Sequence, residues 1–237
     1  MSDQIPLFPL NSVLFPTAPI SLHIFEERYR TMIKRCLDRS EPFGIVLIRS
    51  GSEVSPDDPW VRRMRENLSY DDDPIALKRG PIPYSVGTIA RISESVKLED
   101  GRYYLVAVGL RRFRIQYLVQ REPFLVGAVQ YLADDIGQAT QQHALQLRQT
   151  YARYWESICT ATGQEYEAEP LPEDITELSY WMANQLRVDN HRKQRWLEGD
   201  ASLRLREMAA AIRAEIALLP AGAPDTAGVD VEPWTWN

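Results

Sequence analysis

Gly87-Thr88-Ile89-Ala90-Arg91-Ile92, then Glu99-Asp100-Gly101-Arg102, then Tyr103-Tyr104-Leu105-Val106-Ala107-Val108 and Arg111-Arg112-Phe113-Arg114-Ile115-Gln116-Tyr117-Leu118: this stretch decides the fold. The runs are short and rich in β-branched and aromatic residues, as strands are. Asp100-Gly101 between the first two tolerates the positive φ that a tight hairpin needs. Leu125 to Leu132 reads as a further strand, and Phe43 to Ile48 has the length of a buried one. Several short strands separated by turn signals predict an antiparallel sheet or a small barrel.

Toward the N-terminus, Ile5-Pro6-Leu7-Phe8-Pro9-Leu10 and Val13-Leu14-Phe15-Pro16 are apolar but broken by proline. Proline removes a ladder donor, so these pieces suit edge strands and extended segments. Phe25, Tyr29, Ile33 and Cys36 then recur at helical spacing, widened by Met32 and Leu37, with Glu26, Glu27, Arg30 and Lys34 expected to face outward. Residues 50–83 mix five prolines with Asp71-Asp72-Asp73 and Arg62-Arg63. A loop of that length reads either as a functional flap or as disorder.

After residue 133 the periodicity becomes helical. Leu147, Tyr151, Tyr154 and Ile158 share a stripe, with Asp135 and Gln138 placed as a capping box. Asp174 and Glu177 make a second box before Ile175, Leu178, Trp181, Met182 and Leu186. Asn190 to Glu198 reads as a short helix stopped by Gly199, and Leu205, Met208, Ala209, Ile212 and Ile216 mark a last one ended by Pro220. The domain reading is a β subdomain over 1–133, a helical subdomain over 134–219 and a flexible tail over 220–237.

Composition bounds the function. The chain has 237 residues, 44% hydrophobic and 25% charged, which is ordinary for a globular protein. Net charge is −6, but residues 1–133 carry 18 Lys/Arg against 16 Asp/Glu, and residues 134–237 carry 9 against 17. That split argues for two sub-structures and against a chain that coats nucleic acid along its length. Met1-Ser2-Asp3-Gln4 lacks the charged start and apolar core of a secretory signal, and no apolar run suits a membrane span, so a cytoplasmic location is expected. Cys36 and Cys159 are far apart and read as small buried hydrophobes. His23, His143 and His191 form no ligand-spaced pair, so neither a metal nor another cofactor is expected.

Several motifs, in order, carry a resemblance. Ile5 to Leu10, Val13 to Pro16, Leu22-His23-Ile24-Phe25-Glu26-Glu27-Arg28-Tyr29-Arg30, Val86 to Ala90, Leu98 to Arg102, and Gly109-Leu110-Arg111-Arg112-Phe113-Arg114-Ile115 resemble the substrate-binding N-terminal domain of Lon, the ATP-dependent protease. Lys193 to Glu198 and Leu203-Arg204-Leu205 continue the likeness, which runs through roughly residues 5–217. The resemblance implies an α+β fold: a PUA-like antiparallel β pseudo-barrel followed by a C-terminal helical bundle. It also implies a role in holding substrate polypeptide. No Gly-Lys dipeptide occurs, hence no P-loop, and the chain looks like a stand-alone relative without ATPase or peptidase parts.

The function so implied is a non-enzymatic polypeptide-binding module with no catalytic residue. Its partners would be unfolded or flexible polypeptides and components of a protease. RNA binding is the alternative, because PUA-like barrels include RNA readers and Arg111, Arg112 and Arg114 offer positive charge. On a strand Arg112 and Arg114 share a face, which reads either as a basic strip or, for Arg112, as a buried arginine paired with a carboxylate such as Glu26. Trp60, Trp234 and Trp236 lie in irregular segments and join the two arginines as candidate contact residues. Trp155, Trp181 and Trp196 fall on helical apolar stripes and are assigned to core packing.

Overall fold

The computed structural model describes residues 3–52 and 80–219. Most of the 50–83 segment, with Trp60, and the 220–237 tail, with Trp234 and Trp236, lie outside the described residues. Two compact units divide between Ala133 and Asp134.

In the first unit, six strands form one sheet: β1 (Asp3–Leu10), β2 (Pro19–Ile24), β3 (Phe43–Ser50), β4 (Ile82–Lys97), β5 (Tyr103–Gln120) and β6 (Leu125–Tyr131). Five of them close a ring that runs β5, β4, β3, β1, β6 and back to β5. The pairings are antiparallel except β1 with β3, so the sheet is mixed. Ile5, Leu7, Val46, Ile89, Phe113, Leu125 and Val129 fill the ring as its core. The helix α1 (Glu27–Arg39) buries Tyr29, Met32, Ile33 and Cys36, and Phe8 meets Tyr29 edge-on at 4.3 Å between ring centroids. Burial pushes the Cys36 thiol up to about 12, so it stays an uncharged packing group at neutral pH.

The prolines of β1 do not place it at an edge. β1 lies between β3 and β6, but its first half pairs only with β6 and its second half with β3. Pro6 and Pro9 therefore each sit where the backbone has a neighbour on one side only. Glu26 also departs from expectation: it is buried at the start of α1, where it accepts from Arg28 Nε at 2.9 Å.

The runs 103–108 and 111–118 are one strand, not two. A register shift in the β4/β5 pairing leaves Leu110 as an extra residue between the pairs Ala90/Gly109 and Ile89/Arg111. Such a bulge bends a strand. Beyond it the first half of β5 leaves the ring and forms a three-stranded sheet with β2 and the second half of β4. The segment before β2 packs against the bend. Thr88 Oγ1 donates to the Leu14 carbonyl at 2.6 Å, and a Cβ on Gly109 would lie 2.3 Å from the Phe15 carbonyl oxygen. Only glycine admits that approach.

The hairpin between β4 and β5 turns as the Asp-Gly pair requires, with Gly101 at φ 84°. Asp100 accepts from the Arg102 backbone N–H at 3.1 Å, and this bond holds its carboxyl below the usual carboxylate range. A carboxyl whose pKa is depressed by folding adds stability above its unfolded pKa, and that contribution fades as pH falls through the folded value. The Gly101 and Arg102 amide resonances are expected to titrate together with a midpoint below that of a free aspartate. A midpoint at or above the ordinary value would contradict this.

The second unit is helical: α2 (Gln138–Thr162), α3 (Ile175–Gln185), α4 (Asn190–Glu198) and α5 (Ala201–Leu218). Leu147, Tyr151, Tyr154 and Ile158 are all buried along α2. Asp174 caps α3 through the Glu177 N–H as the sequence predicts. The box at Asp135 does not form, because α2 begins at Gln138 with Gly137 as its N-cap, and Asp135 falls outside the first turn. Gly199 closes α4 in extended backbone, not in the left-handed form. Trp196 is fully buried and Trp155 nearly so. Among the described residues no helix is long and apolar enough to cross a membrane.

Candidate functional site

β2, a strand that no run of the sequence marks clearly, builds the candidate site. Ile20, Leu22 and Ile24 alternate with Ser21 and His23, so the apolar set turns one way and Ser21 and His23 the other. Leu22 and Ile24 are buried, as are Tyr103, Leu105 and Ala107 on the paired strand β5. The opposite face is open. His23, Tyr104 and Val96 stand in one registered row across β2, β5 and β4, and Ser21, Val106 and Glu94 form the next. Tyr104 is 50% exposed and Val96 62%.

These side chains line a groove of about 450 Å³. The His23 and Tyr104 rings stack at 4.4 Å with planes 14° apart, and Phe25 lies 5.8 Å from His23. Arg102 Nη1 lies 3.5 Å from His23 Nε2 at one end, while Arg102 Nε is held by Asp100 at 2.6 Å. Glu94 marks the other end. The result is a flat aromatic and aliphatic floor with charges at its rim. Such a floor presents contact area suited to apolar side chains.

The chain matches the family model described as the ATP-dependent protease La (LON) substrate-binding domain over residues 4–209. It belongs to the Lon substrate-binding domain family. It is 25% identical to the Lon protease of Brevibacillus choshinensis over 200 residues, which is 82% of this chain and 23% of that one. It is 26% identical to Lon protease 2 of Herpetosiphon aurantiacus over 221 residues, 91% of this chain and 24% of that one. Across the curated Lon proteases it matches, the chain spans 13% to 24% of their length. A crystal structure of a Lon N-terminal domain protein from Xanthomonas campestris superposes with a TM-score of 0.56 at 24% identity, covering 88% of this chain and 98% of that one. The N-terminal domain of a Mycobacterium avium complex Lon protease gives 0.53 at 15% identity, over 89% and 98%. At these identities the two structures establish the fold alone.

Within this Lon-type domain the three strand arginines do not make one strip. Arg112 is 3% exposed, lies in register with the buried Thr88, and donates Nη2 to the Ala133 carbonyl at 3.4 Å. Arg111 is stacked on the Tyr131 ring, 3.4 Å from its centroid. Arg114 is exposed. Parity does put Arg112 and Arg114 on one face opposite Phe113, but only the first is covered.

The helical unit of the Lon-type domain holds a second, polar groove lined by His191, Arg192, Arg195, Glu207 and Ala210. Both Glu207 carboxylate oxygens are taken, by Arg195 at 2.6 Å and by the Trp196 indole N–H at 3.1 Å. His143 Nδ1 lies 2.8 Å from Ser202 Oγ, which ties α2 to α5, and neither residue lines either groove.

Proposed function

We propose that this Lon-type domain binds unfolded or flexible polypeptide, carries out no catalysis itself, and uses the β2/β5/β4 face to do so. The observation that carries the reading is the registered row of His23, Tyr104 and Val96, two rings and an aliphatic side chain open to solvent on a sheet whose other face is core. Isolated exposed apolar residues are ordinary on any surface, but an aligned aromatic and aliphatic row over a groove marks an interaction site. Family membership supports the same reading, since the matching model is that of a substrate-binding domain. Substrate proteins of an ATP-dependent protease are the partners this implies.

A reduced, carboxymethylated protein that cannot refold is a suitable probe. Titrated against the domain, it is expected to bind in the micromolar range. Val96→Asp with Tyr104→Asp should weaken that binding by about tenfold or more, because two charges replace the apolar floor. Both side chains are exposed, so the circular dichroism spectrum should be kept, while the unfolding midpoint should fall modestly because two like charges replace a cross-strand pair. Full affinity in a folded double variant would move the site elsewhere.

A further inference from the structure

The open edge of β2 is a second feature of the same region, and it specifies how a polypeptide would be held. Gly109 N–H donates to the Ala18 carbonyl at 3.0 Å, and that bond flanks Pro19/Val108, which is therefore a non-hydrogen-bonded pair. The register then runs without a break from Pro19/Val108 to Ile24/Tyr103. Hydrogen-bonded and non-hydrogen-bonded pairs alternate along an antiparallel ladder. Ile20, Leu22 and Ile24 therefore exchange bonds with β5, and Ser21 and His23 turn their backbone N–H and C=O groups away from it. Among the described residues, no strand pairs with that side of β2.

Two sheet edges are open here, and they differ. The second half of β4 continues past its last partner on β3, which pairs with Ala90. That edge carries Arg91, Glu94 and Lys97 and is broken by a register shift between Ile92 and Glu94. Charges and bulges are the usual devices that keep a strand edge from pairing. β2 has neither beyond Pro19 at its start. Its exposed residues after Pro19, Ser21 and His23, line the groove.

We infer that an extended polypeptide segment adds to the free edge of β2 as a further strand, bonding through its main chain to Ser21 and His23. This rests on the polypeptide-binding reading above and names its mode. Main-chain bonding takes any sequence without proline at the paired positions, while alternate guest side chains fall on the face that carries His23 and Tyr104. A domain working in this way would hold unfolded chains broadly, with a preference for apolar residues at every second position.

Ser21→Pro separates this mode from simple apolar contact, because the Ser21 N–H faces the open edge and the β5 ladder does not use it. The probe is a short peptide alternating valine and threonine, in its parent form and in two forms N-methylated at every second residue, one for each phase. The expected result is a loss of about tenfold in affinity for Ser21→Pro with the parent peptide. The wild type should lose as much with one methylated phase and little with the other. Binding that survives Ser21→Pro in a folded variant overturns strand addition and leaves the polypeptide-binding reading intact. If the variant fails to fold, the methylated peptides decide: equal affinity for the parent and both phases overturns it. No binding of the parent peptide or of the carboxymethylated protein overturns both readings together.

Discussion

Replacing Arg204 with alanine is expected to lower the unfolding free energy of the helical unit by about 3–5 kcal/mol. Arg204 is fully buried on α5, and its guanidinium is used on every side. Nη2 meets Asp134 Oδ1 at 2.7 Å, Nη1 donates to the Gly199 carbonyl at 2.8 Å, and Nε donates to Ser179 Oγ at 3.2 Å. The Tyr180 ring lies 4.4 Å below it, and the Tyr180 hydroxyl donates to the other Asp134 oxygen. Truncation leaves the Asp134 carboxylate inside the protein with its countercharge gone, and such a charge is far costlier than the pair was favourable. Arg204→Lys should recover little, because an ammonium cannot present the same planar fork to three acceptors. Arg204→Met with Asp134→Asn should be milder than Arg204→Ala, since it removes both charges. Urea midpoints at unchanged m-value would show the order. A loss below about 1 kcal/mol for Arg204→Ala would mean the network is not a structural centre.

Arg112→Ala is expected to destabilise the β unit by about 1–3 kcal/mol while leaving peptide binding unchanged. The side chain is buried beside Thr88, and its removal withdraws a donor from the Ala133 carbonyl and opens a void behind the strand. Thermal or urea unfolding measures the first effect and titration with the carboxymethylated probe the second. A variant of normal stability that no longer binds would restore Arg112 as a contact residue.

Much of the ring was legible because hydrophobic alternation and turn chemistry are local signals. Asp100-Gly101 set the hairpin, Phe43 to Ile48 lie in a strand, and the run from Leu125 is a strand as far as Tyr131. What escaped depended on partners distant in sequence. The prolines of β1 argue for an edge until one knows that β3 and β6 each cover only half of the strand. Leu110 looks like a gap between two strands, and only the register with β4 shows it to be a bulge in one. Glu26 continues the polar face of a helix by spacing, yet it precedes the first turn and is buried.

The candidate site was less legible than the fold. The alternation of Ile20, Leu22 and Ile24 with Ser21 and His23 was present, but a stretch of six residues between a proline-rich segment and a helix gives a weak periodic signal. Tyr104 falls in a run that reads as a strand and Val96 lies beyond the run that ends at Ile92, and nothing in a single strand tells which face is covered. Arg204 carries a clearer signal: it falls on the apolar stripe of α5 with Ala201, Leu205 and Met208, and a charge at a core position implies a buried partner.

Polypeptide held on the β2/β5/β4 face would perturb that face first. Amide and side-chain resonances of the isotope-labelled domain, followed during titration with the carboxymethylated probe, test this most directly. Saturable shifts are expected in the micromolar range at Ser21, His23, Val96 and Tyr104, with the Ser21 and His23 amides protected from exchange in the bound state. Shifts confined to the helical unit, or none at all at saturating probe, would contradict it.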